Sequence, residues 1–262
     1  MHKVRIGFIG CGKHATRDLF PLISKVSELE LIATCDLDEE KARNNANRFG
    51  SGIYYTDYNK MLNNENIDAV IIVGAPMMHY EIGMACLEKG LHIFIEKPSA
   101  LTIKDSKTLA EKADLVKKVG QVGYFLRHSS AHQLAKSIID SKDFGNPVNI
   151  NCSYYTNGPW EPRKSWGLND LDWTYMLVQG VHLIDIVRHF MGEIVKVQAQ
   201  RHLSKLGRLT FAVNVEFESG SLGSLSLSSS CPNWSSYVGI IGDNGTHVKI
   251  DNGMLLTYEN QK

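Results

Sequence analysis

Apolar and polar residues along the first half of the chain follow two alternating patterns. Short runs rich in β-branched side chains, typical of strands, are separated by stretches in which apolar side chains recur every three or four residues, typical of helices. The run at 69–73 is apolar throughout, which predicts a strand of a parallel sheet covered by helices on both faces. The predicted strands are 3–10, 30–35, 53–55, 69–73, 91–95 and 120–125, and the predicted helices are 13–26, 38–49, 58–64, 77–90 and 103–118.

The pattern changes near residue 123. A strand at 146–155 and a long apolar helix at 174–191 are followed by runs, such as 210–217 and 221–227, in which apolar and polar residues largely alternate. Because turn sequences such as E-S-G and D-N-G separate these runs, the pattern predicts antiparallel strands with one face in water. The predicted domains are an α/β domain with a doubly wound parallel sheet at 1–123 and an α+β domain with a mostly antiparallel open sheet at 124–262.

Composition and charge narrow the range of partners. The 28 basic and 28 acidic residues cancel, so no summed positive field attracts nucleic acid or anionic lipid. The N-terminus has neither the pattern of a signal sequence nor a membrane-spanning run, and the five cysteines are scattered, without a C-x-x-C pair. These features favour a cytoplasmic protein that binds a small molecule and neither nucleic acid nor a membrane.

A glycine-rich turn lies between the first predicted strand and helix. In this G-x-G-x-x-A element, Gly10 allows a tight turn, Gly12 lets backbone N–H groups approach a pyrophosphate, and Ala15 lets the helix pack closely. Asp36 ends the second strand, where a carboxylate binds ribose hydroxyls and repels a 2′-phosphate, which favours NAD over NADP. A structural glycine turn with a capping aspartate is the alternative. The residues assigned to the dinucleotide on this pattern are Gly10, Cys11, Gly12, Lys13, His14 and Asp36.

Five motifs, in order along the chain, resemble those of the Gfo/Idh/MocA oxidoreductases, which include inositol and glucose–fructose enzymes. The most specific motif is Glu96-Lys97-Pro98, at the end of the strand at 91–95. The resemblance runs from residue 3 to about 250 and implies a Rossmann domain followed by an α+β domain. The other motifs are the glycine turn, G-A-P-M-M-H at 74–79 in place of T-P-N-x-x-H, V-G-Y-F-L-R at 122–127 in place of V-G-F-x-x-R, and G-V-H-L-I-D at 180–185 as G-x-H-x-x-D.

The resemblance implies roles for several of these residues. Glu96 would contact the nicotinamide ribose, and Lys97 would reach the substrate hydroxyl and exchange its proton together with His182. A lysine at the carboxyl end of a central parallel strand lies where such sheets bind ligands, although a surface salt bridge with Glu96 is the alternative. The peptide bond between Lys97 and Pro98 is expected to be cis. The cofactor residues added on this basis are Gly74, Ala75, Pro76, His79, Glu96 and Lys97.

The apolar helix at 174–191 carries a polar stripe formed by Gln179, His182, Asp185 and His189. Buried polar groups need partners, so the stripe faces either its own hydrogen-bond network or a ligand. Dehydrogenases of the family commonly carry an acid one turn before the histidine, and this chain has Val178 there. The protein would then use Lys97 and His182 alone, act on an unusual substrate, or bind ligands without catalysis.

The residues that would read the substrate are less well marked. An aromatic and polar segment at 154–166 is either a substrate loop or packing at a sheet edge, with equal weight. His128 and His132 could share one helix face as metal ligands, but no third ligand accompanies them, so no metal is expected. The substrate-binding candidates are Lys97, Arg127, Tyr155, Trp160, His182 and Asp185.

Together these features predict an NAD-dependent oxidoreductase that acts on a secondary alcohol of an inositol, sugar or sugar-acid derivative. The alternatives are a non-catalytic regulatory protein that binds a dinucleotide and a sugar, and an NAD-dependent glycosidase-type member of the family. Because family members are usually longer at the C-terminus, the second domain is expected to be short. We expect a homodimer or homotetramer that forms through the C-terminal sheet.

Overall fold

The computed structural model describes residues 3–158 and 168–260, in two compact units, Met1–Gly123 and Tyr124–Lys262. The first unit alternates strands and helices, as the hydrophobic pattern predicts. Its strands are β1 (Val4–Ile9), β2 (Leu29–Cys35), β3 (Tyr54–Tyr55), β4 (Ala69–Ile72), β5 (His92–Ile95) and β6 (Gly120–Val122). Its helices are a π-helical turn (Ala15–Leu19), α1 (Phe20–Ile23), α2 (Glu39–Phe49), α3 (Tyr58–Asn64), α4 (Pro76–Glu88) and α5 (Ile103–Leu115).

The six strands of the first unit form one parallel sheet in the order β3-β2-β1-β4-β5-β6. This order confirms the predicted doubly wound α/β fold. The chain reverses its direction of winding between β1 and β4, and ligands of open α/β sheets bind beside the carboxyl ends of the strands at this point. The glycine turn, Asp36 and the 74–79 loop all follow strands at that edge.

The second unit places helices against one face of a second sheet. Its helices are a 3₁₀ turn (Phe125–His128), α6 (Ser130–Ile139), α7 (Leu171–Tyr175), a π-helical turn (Met176–Gly180) and α8 (Val181–Met191). Its strands are β7 (Pro147–Asn157), β8 (Ile194–Leu203), β9 (Leu209–Phe217), β10 (Leu222–Ser228), β11 (Ser230–Gly242), β12 (His247–Asp251) and β13 (Leu255–Glu259). The sheet order is β13-β12-β11-β7-β10-β9-β8.

The sheet of the second unit has one covered and one open face. Leu183 and Ile186 of α8 belong to the same buried cluster as Ile150 of β7 and Leu225 of β10. All adjacent strands are antiparallel except β7 and β10, which pair parallel. The predicted α+β domain with a mostly antiparallel open sheet is therefore confirmed.

The predicted helix at 174–191 is not continuous. The π-helical turn Met176–Gly180 lies inside it, and a second such turn, Ala15–Leu19, interrupts the helix predicted at 13–26. A π turn adds a residue to the helical repeat. The segment at 174–191 is apolar nearly all round, so its hydrophobic residues show no clear period that the extra residue of a π turn could shift. Within the described part of the chain, no helix has the length and apolar character needed to cross a membrane.

Candidate functional site

The glycine turn after β1 has the backbone geometry that the sequence pattern predicts. Gly10 has φ +96°, and a Cβ added there would lie 1.6 Å from the carbonyl oxygen of Val73, so no other residue fits without moving the backbone. A Cβ added at Gly12 would meet no atom within 4 Å. The turn is thus closed against β4 at its first glycine and open at its second.

Asp36 lies directly after β2, and backbone hydrogen bonds fix its carboxylate. Its Oδ2 accepts from the N–H of Cys11 at 2.7 Å, and its Oδ1 accepts from the N–H of Asp38 at 2.9 Å. The carboxylate therefore joins the glycine turn to the carboxyl end of β2. Burial raises the pKa of the Cys11 and Cys35 thiols to about 12, which keeps both protonated and agrees with a packing role.

The Glu96-Lys97-Pro98 segment forms a tight turn after β5, and its Lys97–Pro98 peptide bond is cis, as expected. Glu96 Oε2 accepts a hydrogen bond from the Lys97 N–H at 3.3 Å. A Cβ added at Gly123 would lie 2.7 Å from Glu96 Oε1, so the carboxylate lies directly against the backbone that follows β6. The carboxylate therefore lies between its own turn and the end of β6.

The 74–79 loop leads into α4 and supports the same turn. Pro76 begins α4, and His79, one turn later, is fully buried. The Nδ1–H of His79 donates to the carbonyl oxygen of Pro98 at 2.6 Å. His79 therefore supports the Glu96-Lys97-Pro98 turn. Because the side chain of His79 is fully buried, the structure gives no support to a direct contact between His79 and a dinucleotide.

Lys97 has the environment of a proton-transfer group. Burial lowers the pKa of its ammonium, and the neighbouring carboxylate of Glu96 opposes that shift. A lysine whose pKa lies below its ordinary value exchanges a proton near neutral pH more readily than an exposed lysine does.

In the second unit, His182 lies on α8 against aromatic side chains. Its side chain is buried, and its ring stacks on Tyr154 with centroids 5.5 Å apart and planes at 19°. Phe125 meets the imidazole edge-on at 5.2 Å, and Trp234 packs edge-on against Tyr154 at 5.9 Å. Burial raises the pKa of Tyr154 to about 12, so this ring remains a neutral phenol.

Two of the predicted substrate residues are paired with each other. The guanidinium of Arg127 donates two hydrogen bonds to the carboxylate of Asp185, from Nε at 2.8 Å and from Nη2 at 2.5 Å. Asp185 is buried, whereas Arg127 is partly exposed. This bidentate ion pair joins the 3₁₀ turn to α8, so both side chains already have the partners that a substrate would otherwise supply.

Of the remaining predicted substrate residues of the second unit, the structure describes Tyr155 and places it apart from His182. Tyr155 lies on the opposite face of β7 from Tyr154, where its ring borders the open face of the sheet. Trp160 lies outside the described residues. Tyr154 and Phe125 contact the ring of His182, and Trp234 contacts Tyr154. Tyr154 belongs to the aromatic segment identified in the sequence, and buried residues alternate along β7 with Tyr154 among them. Phe125 and Trp234 are not among the substrate residues that the sequence predicts.

Two further expectations concern single residues. Val178 is buried within the π-helical turn that precedes α8, so this position offers an apolar side chain where the family commonly has an acid.

His132, one of the two histidines considered as metal ligands, forms a hydrogen bond with the hydroxyl of Ser129 through Nδ1 at 2.6 Å. Within residues 3–158 and 168–260, no group of three or more His, Cys, Asp or Glu side chains is arranged to hold a metal ion.

Comparison with known proteins relates both units to one family. Residues 4–124 match the family model described as an oxidoreductase family with an NAD-binding Rossmann fold, and residues 132–248 match the GFO/IDH/MocA C-terminal domain. The chain belongs to the Gfo/Idh/MocA oxidoreductase family. This confirms the resemblance inferred from the five motifs, and the first unit is an NAD-binding Rossmann domain.

Curated relatives within the Gfo/Idh/MocA family include inositol dehydrogenases. An inositol 2-dehydrogenase of Salmonella typhimurium is 27% identical over 154 residues, a match that covers 58% of this chain and 46% of the relative. The chain therefore spans less than half the length of that relative. The scyllo-inositol 2-dehydrogenase (NAD(+)) of Bacillus subtilis is 28% identical over 241 residues, which cover 88% of this chain and 69% of the relative.

Solved structures of Gfo/Idh/MocA type share the fold. A dehydrogenase from Chromobacterium violaceum superimposes with a TM-score of 0.93 at 28% identity, covering 99% of this chain and 75% of that one. The WlbA dehydrogenase from Bordetella pertussis, in complex with NADH and UDP-GlcNAcA, gives a TM-score of 0.85 at 19% identity, covering 100% of this chain and 78% of that one. At 19% identity, the second similarity shows the fold alone.

Proposed function

We propose that the protein is an NAD-dependent oxidoreductase that interconverts a secondary alcohol and a ketone on an inositol, sugar or sugar-acid derivative. The observation that carries the proposal is the partly buried Lys97, with its lowered pKa, beside Glu96 at the carboxyl end of β5. Family membership and the inositol dehydrogenases among the relatives support this choice of substrate class.

The residues of the first unit fit a dinucleotide. The open space beside Gly12 lets phosphate oxygens approach backbone N–H groups, and Asp36 presents a fixed carboxylate for ribose hydroxyls. NAD, when bound, supplies the hydride acceptor for oxidation of the alcohol carbon. Glu96 then serves as a hydrogen-bond acceptor at the nicotinamide ribose, which is the role that the family resemblance implies.

Proton transfer falls to Lys97 and His182 in this proposal. Oxidation of an alcohol releases the hydroxyl proton, and Lys97, whose pKa burial lowers, can accept it in the neutral form. His182 is the second acid/base group that the resemblance assigns, and the flat contact with Tyr154 restricts the orientation of its ring. The apolar Val178 leaves the histidine without the acid that is common at that position.

The direct test is NADH formation across a panel of inositols, aldoses and uronic acids. Turnover on any member, reversed by the corresponding ketone and NADH, supports the proposal. Tight NAD binding without turnover on the whole panel would instead favour a non-catalytic protein that binds a dinucleotide and a sugar. The specific observation in favour of that second candidate is Val178.

Cofactor choice is expected to depend on Asp36. The wild-type protein should bind NAD at least tenfold more tightly than NADP, because the carboxylate repels a 2′-phosphate. Asp36→Asn keeps an oxygen that can accept from the Cys11 N–H but removes the charge, so it should reduce this preference by about tenfold. Calorimetric titration of each variant with both dinucleotides measures the ratio.

Glu40→Gln provides the matched control, because it removes an exposed carboxylate of the same acidic segment. It should leave the preference between NAD and NADP unchanged. Equal affinity of the wild-type protein for the two dinucleotides would overturn the assignment of Asp36.

We propose that copies of the chain associate through the open face of the C-terminal sheet. A groove of about 460 Å³ on this face is lined by polar side chains, including Asn151, Tyr155 and Ser224. Size-exclusion chromatography with light scattering should show a dimer or tetramer, and Ser224→Arg should dissociate it because the charge would be buried. Lys107→Glu on α5 is the control, and a wild-type monomer would contradict the proposal.

A further inference from the structure

His14 occupies a position between two carboxylates beside the glycine turn. Its Nδ1 lies 2.8 Å from Asp18 Oδ2, and its Nε2 lies 3.8 Å from Glu96 Oε1. One ring thus faces the first turn of the helix that follows β1 on one side and the turn that follows β5 on the other. Both of its nitrogens point toward acceptors, which matches an imidazolium with two N–H donors.

The charges around His14 favour this protonated form. Arg17 donates two hydrogen bonds to Asp18, both at 2.8 Å, and holds the pKa of that carboxyl at about 2, so Asp18 stays ionised. Glu96 and Asp18 together raise the pKa of His14, and burial opposes them. Within the described residues, Asp18 on its own helix and Glu96 from the turn after β5 are the charged groups beside this ring, and Arg17 contacts Asp18 rather than the ring.

We propose that His14 links binding of the dinucleotide to the uptake of a proton. The proposal rests on the function proposed above, because it assumes that the glycine turn binds the pyrophosphate of NAD. That group brings two negative charges to the turn in which His14 lies, and an added negative charge favours the imidazolium. The imidazolium in turn attracts the carboxylate of Glu96. A proton on His14 therefore strengthens two contacts with the cofactor, that of the glycine turn with the pyrophosphate and that of Glu96 with the nicotinamide ribose.

The expected result is a proton-linked affinity for NAD. Above the pKa of His14 the free protein carries neutral imidazole, and binding must then recruit a proton. Affinity should therefore be highest in mildly acidic solution and fall by about threefold or more as the pH rises from 6.5 to 8.5. Calorimetry at pH 8 in phosphate and in Tris, which differ in ionisation enthalpy, measures the proton uptake directly.

Two substitutions separate charge from protonation. His14→Gln removes the cation at every pH, so NAD should bind without proton uptake and with the weaker affinity throughout. His14→Lys keeps a cation up to pH 9, so proton uptake should vanish while the affinity at pH 8.5 exceeds that of the wild-type protein. Circular dichroism of each variant verifies that the fold is retained.

His202→Gln is the matched control, because it removes an exposed histidine on β8 of the second unit and should leave the proton uptake unchanged. Binding of NAD by the wild-type protein with no proton uptake, or an uptake that persists in His14→Gln, would overturn this inference alone. Absence of NAD binding in the wild-type protein would overturn the proposed function itself.

Discussion

Replacing Lys97 by alanine is expected to slow NADH formation by about 10²–10⁴-fold on any substrate that the wild-type protein oxidises. The substitution removes the partly buried amine, with its lowered pKa, that we assign to the hydroxyl proton. It leaves the glycine turn and Asp36 intact, so the dissociation constant for NAD should change by no more than a few-fold. Steady-state rates and calorimetry on the same preparation measure the two quantities.

Lys104→Ala, which removes an exposed lysine at the start of α5, should leave the rate of NADH formation unchanged. If Lys97→Ala retained the wild-type rate, the assignment of the proton-transfer group would be wrong. If the substitution abolished NAD binding as well as turnover, Lys97 would act mainly in holding the cofactor.

Arg127→Ala is expected to lower the free energy of unfolding by about 3 kcal/mol, because it leaves the carboxylate of Asp185 buried and without its ion-pair partner. The bidentate contact makes Arg127 a structural link between the 3₁₀ turn and α8. The loss should appear in urea unfolding followed by circular dichroism. We expect the folded Arg127→Ala protein to have a KM for the alcohol substrate within a few-fold of the wild-type value.

Arg201→Ala breaks an ion pair with Asp172 in which both side chains are partly exposed, and it should cost less than about 1 kcal/mol. A large increase in KM for Arg127→Ala, without loss of stability, would restore the substrate-binding role that the sequence predicts for Arg127. The comparison of the two arginine variants therefore separates a structural ion pair from a substrate contact.

Much of the first unit could be predicted from the sequence because each element there carries its own local signals. Helix α3 occupies the predicted residues, and Asp57 accepts a hydrogen bond from the Asn59 N–H at its beginning. The strand at 69–73 was recognisable because it is apolar on both faces. The tight turn at Gly10 was also predictable, because the glycine-rich motif directly follows the first strand. The structure agrees, since only a glycine fits so close to the end of β4.

The missed features depend on contacts between distant parts of the chain. Nothing near Arg127 in the sequence shows that Asp185 will receive its guanidinium. Whether Tyr154 or Tyr155 lies beside His182 depends on which face of β7 the helices cover. Both faces of this strand carry aromatic residues, so the sequence alone does not show which face is buried. The π-helical turn before α8 gives no signal in the sequence, because the segment is apolar nearly all round.

The position of β7 in the sheet has a consequence for how the second unit assembles. This strand is central, yet both of its neighbours, β10 and β11, come from the far end of the chain, with Leu222 paired to Asn149 and Ser230 paired to Asn157. Between β7 and β10 the chain forms α7, α8, β8 and β9, and between β7 and β11 it also forms β10. Such topology gives a high contact order, so the centre of this sheet forms only after the chain as far as β11 is available.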